Sequence, residues 1–192
     1  MGHVDSLRLE PELASGVGPR DFDLRLASSE DAPALAALNV TTWRTAYAAF
    51  LPADILASLQ QADWEERFRG RLSESAPQGF ILVACDAGGL LGYVWAGSCR
   101  GQGLIGSGEI CAIYVQPSAG GSGVGSALLA SAETSLARAG FPHAMLWVFA
   151  RNRDARRFYE HHGWRLDGRR KLWQRDGLRR LLVCYRKALS LA

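Results

Sequence analysis

The chain has 192 residues, of which 48% are hydrophobic and 21% charged, and its formal net charge is +3. That length and balance describe one globular domain and exclude a wholly disordered chain. No run approaches the roughly 20 apolar residues that cross a bilayer, and acids and prolines stand at the start where a signal peptide needs an apolar stretch, so a cytoplasmic, membrane-free protein is expected.

Charge is spread unevenly. Residues 141–192 carry 13 Lys and Arg against 4 Asp and Glu, whereas residues 1–140 carry 9 against 15. The asymmetry points to an anionic partner near the C-terminal part, either nucleic acid or a polyphosphorylated cofactor. Cys85, Cys99, Cys111 and Cys184 stand singly with no metal-type Cys/His spacing, so free thiols and no metal are expected.

Residues 1–20 have no apolar periodicity and read as a flexible leader; the domain occupies 21–192. "FDLRLA" alternates as a half-buried strand does, and "SSEDAPALAALNVTTWRTAY" opens a helix near Ser29 with Leu35, Leu38 and Thr42 at helical spacing. "LPADILASL" predicts a short second helix, and "ADWEERFRGRL" a third with Trp64, Phe68 and Leu72 on one stripe. "FILVACDAGGLLGYVWAGS" then reads as two strands around a turn at Asp86–Gly89. "EICAIYV" is apolar almost throughout and is expected to be buried on both faces. After the glycine-rich segment a helix runs to about Ala139. "HAMLWVFA" is a strand, "NRDARRFYEHH" a helix capped by Asn152 and stopped at Gly163, and "GWRLDG" and "RRLLVCYRKAL" are strands. The order βααα-βββ-α-β-α-ββ is that of an α/β domain on one mixed sheet.

"PSAGGSGVGSALL" joins a strand to a helix through glycine. Unpaired N–H groups and the helix dipole at such a junction attract anions, and glycine lets a bulky one approach, so the segment reads as a phosphate or pyrophosphate cradle. A nucleotide P-loop is excluded because Ser126 and Ala127, not Lys and Ser/Thr, follow Gly125. A dinucleotide fingerprint fits poorly: Gly121 and Gly123 lack the third glycine, since Ser126 stands in its place.

The ordered pair "GEICAIYVQPSAGGSGVGSALL" and "LWVFARNRDARRFYEHHGW" resembles the GNAT superfamily of acetyl-CoA-dependent N-acetyltransferases, over roughly residues 22–189. The resemblance implies a central mixed, mostly antiparallel sheet of about seven strands flanked by about four helices. It also implies transfer of an acetyl group from acetyl-CoA to an amine. Aligned on Gly123-Val124-Gly125, the family's Gln/Arg slot holds Gly120, a departure that leaves pyrophosphate binding to the main chain of Gly121, Ser122, Gly123, Val124, Gly125 and Ser126. Ile113, Tyr114 and Val115 match the strand whose backbone holds the pantetheine arm, Asn152 matches the family's cofactor-contacting Asn, and Arg156 on the helix that follows is expected to contact the cofactor as well.

Acetyl transfer moves one proton off an ammonium and one onto a thiolate. A phenol with a pKa near 10 suits the second step, and Tyr159 matches the family's general acid. Glu109 matches the glutamate base of histone-type members; His143, His161 and His162 are weaker candidates, the His pair being expected to face solvent. Trp43, Tyr47 and Phe50 fall where the family places its acceptor site. The acceptor itself is left open between a small-molecule amine, a protein N-terminus and a lysine. Two readings compete: nucleic-acid binding by Arg169, Arg170, Lys171, Trp173, Arg175, Arg179 and Arg180, and a fold of the same family that binds acetyl-CoA as a sensor without turnover; dimerisation through the C-terminal strands stays open.

Overall fold

Seven strands in the order β1-β2-β3-β4-β5-β7-β6 form one sheet in the computed structural model, which describes residues 21–73, 79–99 and 106–190. The leader expected over 1–20 lies outside the described residues. The strands are β1 (Asp23–Leu26), β2 (Gly79–Asp86), β3 (Gly89–Ser98), β4 (Gly108–Val115), β5 (His143–Phe149), β6 (Arg165–Arg175) and β7 (Leu178–Ala188). The helices are α1 (Ala32–Ala46), α2 (Ala53–Ala57), α3 (Gln61–Ser73), α4 (Val124–Arg138) and α5 (Arg153–His161). Among the described residues only β4 and β5 pair in parallel. None of the described helices is long and apolar enough to cross a membrane.

The alternation of β2 explains why helices cover both sides. Phe80, Leu82 and Ala84 point to one face and join Val124, Leu128, Ala132 and Leu136 of α4, while Ile81 and Val83 point to the other and join Leu35 of α1 and Phe68 of α3. Two apolar faces need two covering layers, which α4 with α5 and α1 with α3 supply. α1 is entered through a 3-10 turn at Ser29–Asp31. The Asp31 carboxylate accepts from the Ser28 N–H at 2.7 Å and twice from the Arg25 guanidinium, at 2.7 and 2.8 Å, tying the helix entrance to β1. Arg25's hydrogen bonds hold the Asp31 carboxyl below the usual carboxylate range. A depressed pKa stabilises the fold above the unfolded value, and that contribution is lost as pH falls through the folded one. Asp31→Ala therefore lowers stability by about 1 kcal/mol at neutral pH. In thermal melts the gap from wild type closes as pH drops below about 4.

Two strands depart from expectation. β6 does not stop near Gly168 but bends there, with a break in register between Leu166 and Arg170, and continues to Arg175. Gly168 takes a φ of +87°, which a glycine adopts without strain, so the strand is redirected, not ended. β4, expected to be buried on both faces, is fully buried only at Gly108 and Ile110. The reason is a bulge: Ala96 faces Ile110 and Trp95 faces Ala112, leaving Cys111 as an extra residue. A bulge bends and twists its strand, and here the pairing of β4 with β5 covers only Gly108–Ile110 against Ala144–Leu146. Beyond those residues the two parallel strands part, and a cleft opens in the middle of the sheet.

Candidate active site

The cleft holds a cavity of about 610 Å³. One wall is Cys111–Val115 of β4 and the other Trp147–Phe149 of β5; Glu109 and Ile110 border it where the strands still pair. Trp43 comes from α1 and Tyr47 from its C-terminal cap, Asn152, Asp154, Ala155, Phe158 and Tyr159 from α5 and its cap, and Lys171, Trp173 and Leu182 from the C-terminal hairpin. Along the side of β4 that faces β5, the backbone groups of residues 112–115 have no strand partner among the described residues. An extended ligand laid there is bound as an added strand would be.

The glycine-rich turn meets this cavity directly. A Cβ on Gly125 would stand 3.5 Å from both Val115 and Phe158, two residues that line the cleft. Gly121 and Gly123 have φ of +79° and +85°, so the turn itself requires glycine at these two places. Gly125 is different: its Cβ would make only ordinary contacts, which leaves the turn's own shape no reason to exclude a side chain there. The Ser122 N–H is spent on the Ala119 carbonyl at 3.3 Å, and the Gly120 N–H on Pro117 at 3.2 Å. The N–H groups of Gly121, Gly123, Val124, Gly125 and Ser126 have no acceptor among the described residues. Five free donors at the positive end of a 15-residue helix make an anion cradle without any help from a Gln or Arg side chain at Gly120.

Tyr159 lies on the α5 face that closes the cleft, with its ring buried and its hydroxyl without a hydrogen-bonding partner among the described residues. Burial, and then the neighbouring Tyr114, push its phenol well above the ordinary value. The hydroxyls of Tyr47 and Tyr114 meet at 3.1 Å, and burial raises both of them too. Burial also raises Tyr93, whose hydroxyl accepts from Asn39 at 2.6 Å. Phenols raised in the fold stabilise it below their unfolded value near 10, and that stabilisation is lost as pH climbs past it. The thermal midpoint is therefore flat to about pH 9 and falls above about 10, with tyrosinate absorbance from these residues rising only as the chain unfolds. Alkaline titration followed at once by absorbance and circular dichroism checks it.

Several residues expected from sequence take other places. Arg156 is tied to the sheet: its Nε donates to the Tyr185 hydroxyl at 3.0 Å and its Nη1 to the Ala150 carbonyl at 3.1 Å, fastening α5 to β7. Phe50 stands one layer behind the cavity, with ring centroids 5.3 Å from Tyr47 and 5.5 Å from Phe149. Asn152 is the helix cap, its Oδ1 accepting from the Ala155 N–H at 3.1 Å, and it lines the cavity as well. His162 is not a solvated group: its ring nitrogens lie 2.8 Å from the Phe158 carbonyl and 3.0 Å from the Ser126 hydroxyl in the first turn of α4. The basic hairpin is divided between uses. Trp173 stacks into the aromatic cluster, Arg180 donates to the Phe50 carbonyl at 2.8 Å, and Lys171 caps Trp147, while Arg169, Arg170 and Arg179 remain exposed.

The sequence model described as the acetyltransferase (GNAT) family matches residues 40–164. The uncharacterized N-acetyltransferase YuaI of Bacillus subtilis is 30% identical over 129 residues, covering 67% of this chain and 72% of its own. The mycothiol acetyltransferase of Acidothermus cellulolyticus is 37% identical over 132 residues, 62% of this chain and 40% of its own. That of Streptomyces avermitilis is 34% identical over 154 residues, 80% of this chain and 44% of its own. The chain thus spans under half the length of these two mycothiol acetyltransferases. Among solved structures, the PaiA N-acetyltransferase of Thermoplasma acidophilum, in complex with coenzyme A, superposes with a TM-score of 0.69 at 20% identity, covering 87% of this chain and 98% of its own. A ribosomal-protein-alanine N-acetyltransferase of Brucella melitensis gives 0.67 at 22% identity, covering 87% and 99%. At these identities the likeness shows the fold.

Proposed function

The chain belongs to the GNAT acetyltransferase family, and from that premise we propose that it transfers an acetyl group from acetyl-CoA to a primary amine by direct attack in a ternary complex. The observation that carries the reading is the junction of two features: an unpaired strand edge in the β4/β5 cleft runs into an anion cradle of free amides. One end suits the diphosphate of the donor and the other its pantetheine arm, with the thioester delivered between Tyr159 and Glu109.

Each residue of the chain then has a task. The main chain of Ile113, Tyr114 and Val115 aligns the arm, and a free N–H on that edge steadies the charge that develops on the carbonyl oxygen. The amides of Gly121 and of Gly123 to Ser126 hold the diphosphate. Burial raises the Tyr159 phenol, so it is protonated at neutral pH, and it offers that proton to the departing sulfur as negative charge grows there. Glu109, at the closed end of the cleft, takes the proton from the incoming ammonium, directly or through a water. The walls of Trp43, Tyr47, Phe149 and Trp173 favour an acceptor whose amine is attached to an apolar body, through apolar and cation–π contact.

Steady-state release of the CoA thiol with a panel of primary amines tests the reading. Direct transfer gives intersecting double-reciprocal lines as donor and acceptor are varied. Parallel lines would instead indicate a covalent acyl-enzyme, with Cys111 at the cavity wall as its carrier.

A further inference from the structure

The chain contains only two lysines, Lys171 and Lys187, among 22 basic Lys and Arg residues. Their environments differ sharply. Lys187 is fixed by Glu133, Nζ to Oε2 at 2.6 Å, in a pair whose other carboxylate oxygen accepts from the Trp164 indole at 2.7 Å. Lys171 has no carboxylate within ion-pair distance among the described residues; its Nζ stands 4.3 Å from the centroid of the Trp147 ring. It also lines the cavity that holds Tyr159, Glu109 and the Ile113–Val115 edge.

The sheet register makes this placement firm. Lys171 faces Leu182 on β7, Leu182 faces Phe149 on β5, and paired residues share a face, so Lys171 lies on the same side of the sheet as Phe149 and Trp147. Glu109 faces Met145, two residues before Trp147, and belongs to that side too. The acceptor side of the cleft thus already contains a primary alkylamine on a flexible four-carbon stem, and it is the chain's own.

We propose that Lys171 is a self-acetylation site, modified within the same molecule. The inference rests on the acetyl-CoA reading above. The Nζ lone pair forms a bond to the thioester carbonyl carbon as the carbon–sulfur bond breaks. One ammonium proton passes to the Glu109 carboxylate and on to solvent before the attack; as the sulfur leaves it takes a proton from Tyr159, and the second proton of the acylated nitrogen returns through water to the Tyr159 phenolate, giving an acetamide on Lys171, free coenzyme A and Tyr159 in its starting state. No oxidant or further reactant is needed. Arginine, which supplies nearly all the other positive charge in the chain, does not undergo this reaction because its guanidinium stays protonated. The neutral acetamide loses the cation–π contact with Trp147 and occupies the acceptor side of the cavity, so self-modification competes with turnover of an external amine.

The full chain is incubated with acetyl-CoA and no added amine, then digested and its lysine peptides weighed. The expected result is one acetyl group on Lys171, at least about tenfold faster than on Lys187, because only the first amine is held in the cleft. The rate is independent of protein concentration. It falls by about 100-fold in Tyr159→Phe, and no acetylated lysine replaces it in Lys171→Arg, which keeps the cation over Trp147. Calorimetry on the same samples separates the failures. If acetyl-CoA binds but Lys171 stays unmodified, or reacts no faster than Lys187, or reacts equally in Tyr159→Phe, self-acetylation is overturned while the transferase reading stands. A rate that climbs with protein concentration overturns the intramolecular step. Absence of acetyl-CoA binding overturns both readings.

Discussion

Tyr159→Phe lowers kcat by about 10²–10³-fold while changing the dissociation constant of acetyl-CoA by less than about threefold. The ring is buried among Phe158, Trp164 and Tyr185, and phenylalanine keeps all of that packing. What it removes is a hydroxyl that no protein group among the described residues engages, so the fold loses nothing that held it together. A leaving thiolate would then depart without a proton donor, and the cost falls on the step in which the carbon–sulfur bond breaks. Single-turnover kinetics, with calorimetry on the same preparation, separates the two quantities. Unchanged turnover would take Tyr159 out of the reaction and leave it a packing residue.

The second large effect is at the cradle. Ser126→Glu places a carboxylate three residues into α4, among the amides proposed to hold the diphosphate. At about 4 Å, with an effective dielectric near 20, a unit charge costs a neighbouring anionic charge about 4 kcal/mol, so acetyl-CoA affinity falls by 10²-fold or more. The same carboxylate favours the positive end of the helix dipole, which offsets the lost Ser126–His162 hydrogen bond. Thermal stability is therefore expected to stay within a few degrees of wild type while binding is lost. Ser126→Ala, which adds no charge, weakens binding by less than about tenfold. If the glutamate variant bound acetyl-CoA as tightly as wild type, the diphosphate would have to lie elsewhere.

The sequence disclosed those parts of the molecule whose physics is local. The hairpin at Asp86–Gly89, the Asn152 cap and the alternation of β2 are each set by residues within a few positions of one another, and each stands where it was expected. The glycine-rich turn was legible for the same reason, and the positive φ of Gly121 and Gly123 accounts for two of its glycines without a ligand. The bulge at Cys111 was not legible. Nothing in "EICAIYV" breaks a strand, and the extra residue exists only relative to the register of β3. Yet that bulge parts β4 from β5 and makes the cavity.

Pairing across long distances hid the rest. Lys171 and Trp173 sit in a run of basic residues that reads as a surface for nucleic acid; only the match of Lys171 with Leu182, and of Leu182 with Phe149, turns them to the cleft. Arg156 has partners hidden in the same way, because Tyr185 and Ala150, brought over by β7 and β5, accept from its guanidinium. His162 likewise meets Ser126 only because α5 folds back onto the start of α4. A short alternation signal could have flagged Trp173, since Lys171, Trp173 and Arg175 share one side of an extended strand.

Calorimetric titration of the purified chain with acetyl-CoA, with coenzyme A, ATP and NAD run in parallel, tests the central claim most directly. The free amides at Gly121 and Gly123–Ser126, joined to the open edge of β4, predict saturable binding of acetyl-CoA and coenzyme A and none of ATP or NAD, even with glycine at position 120. Binding of ATP or NAD with equal affinity, or no binding of either CoA species, would contradict it.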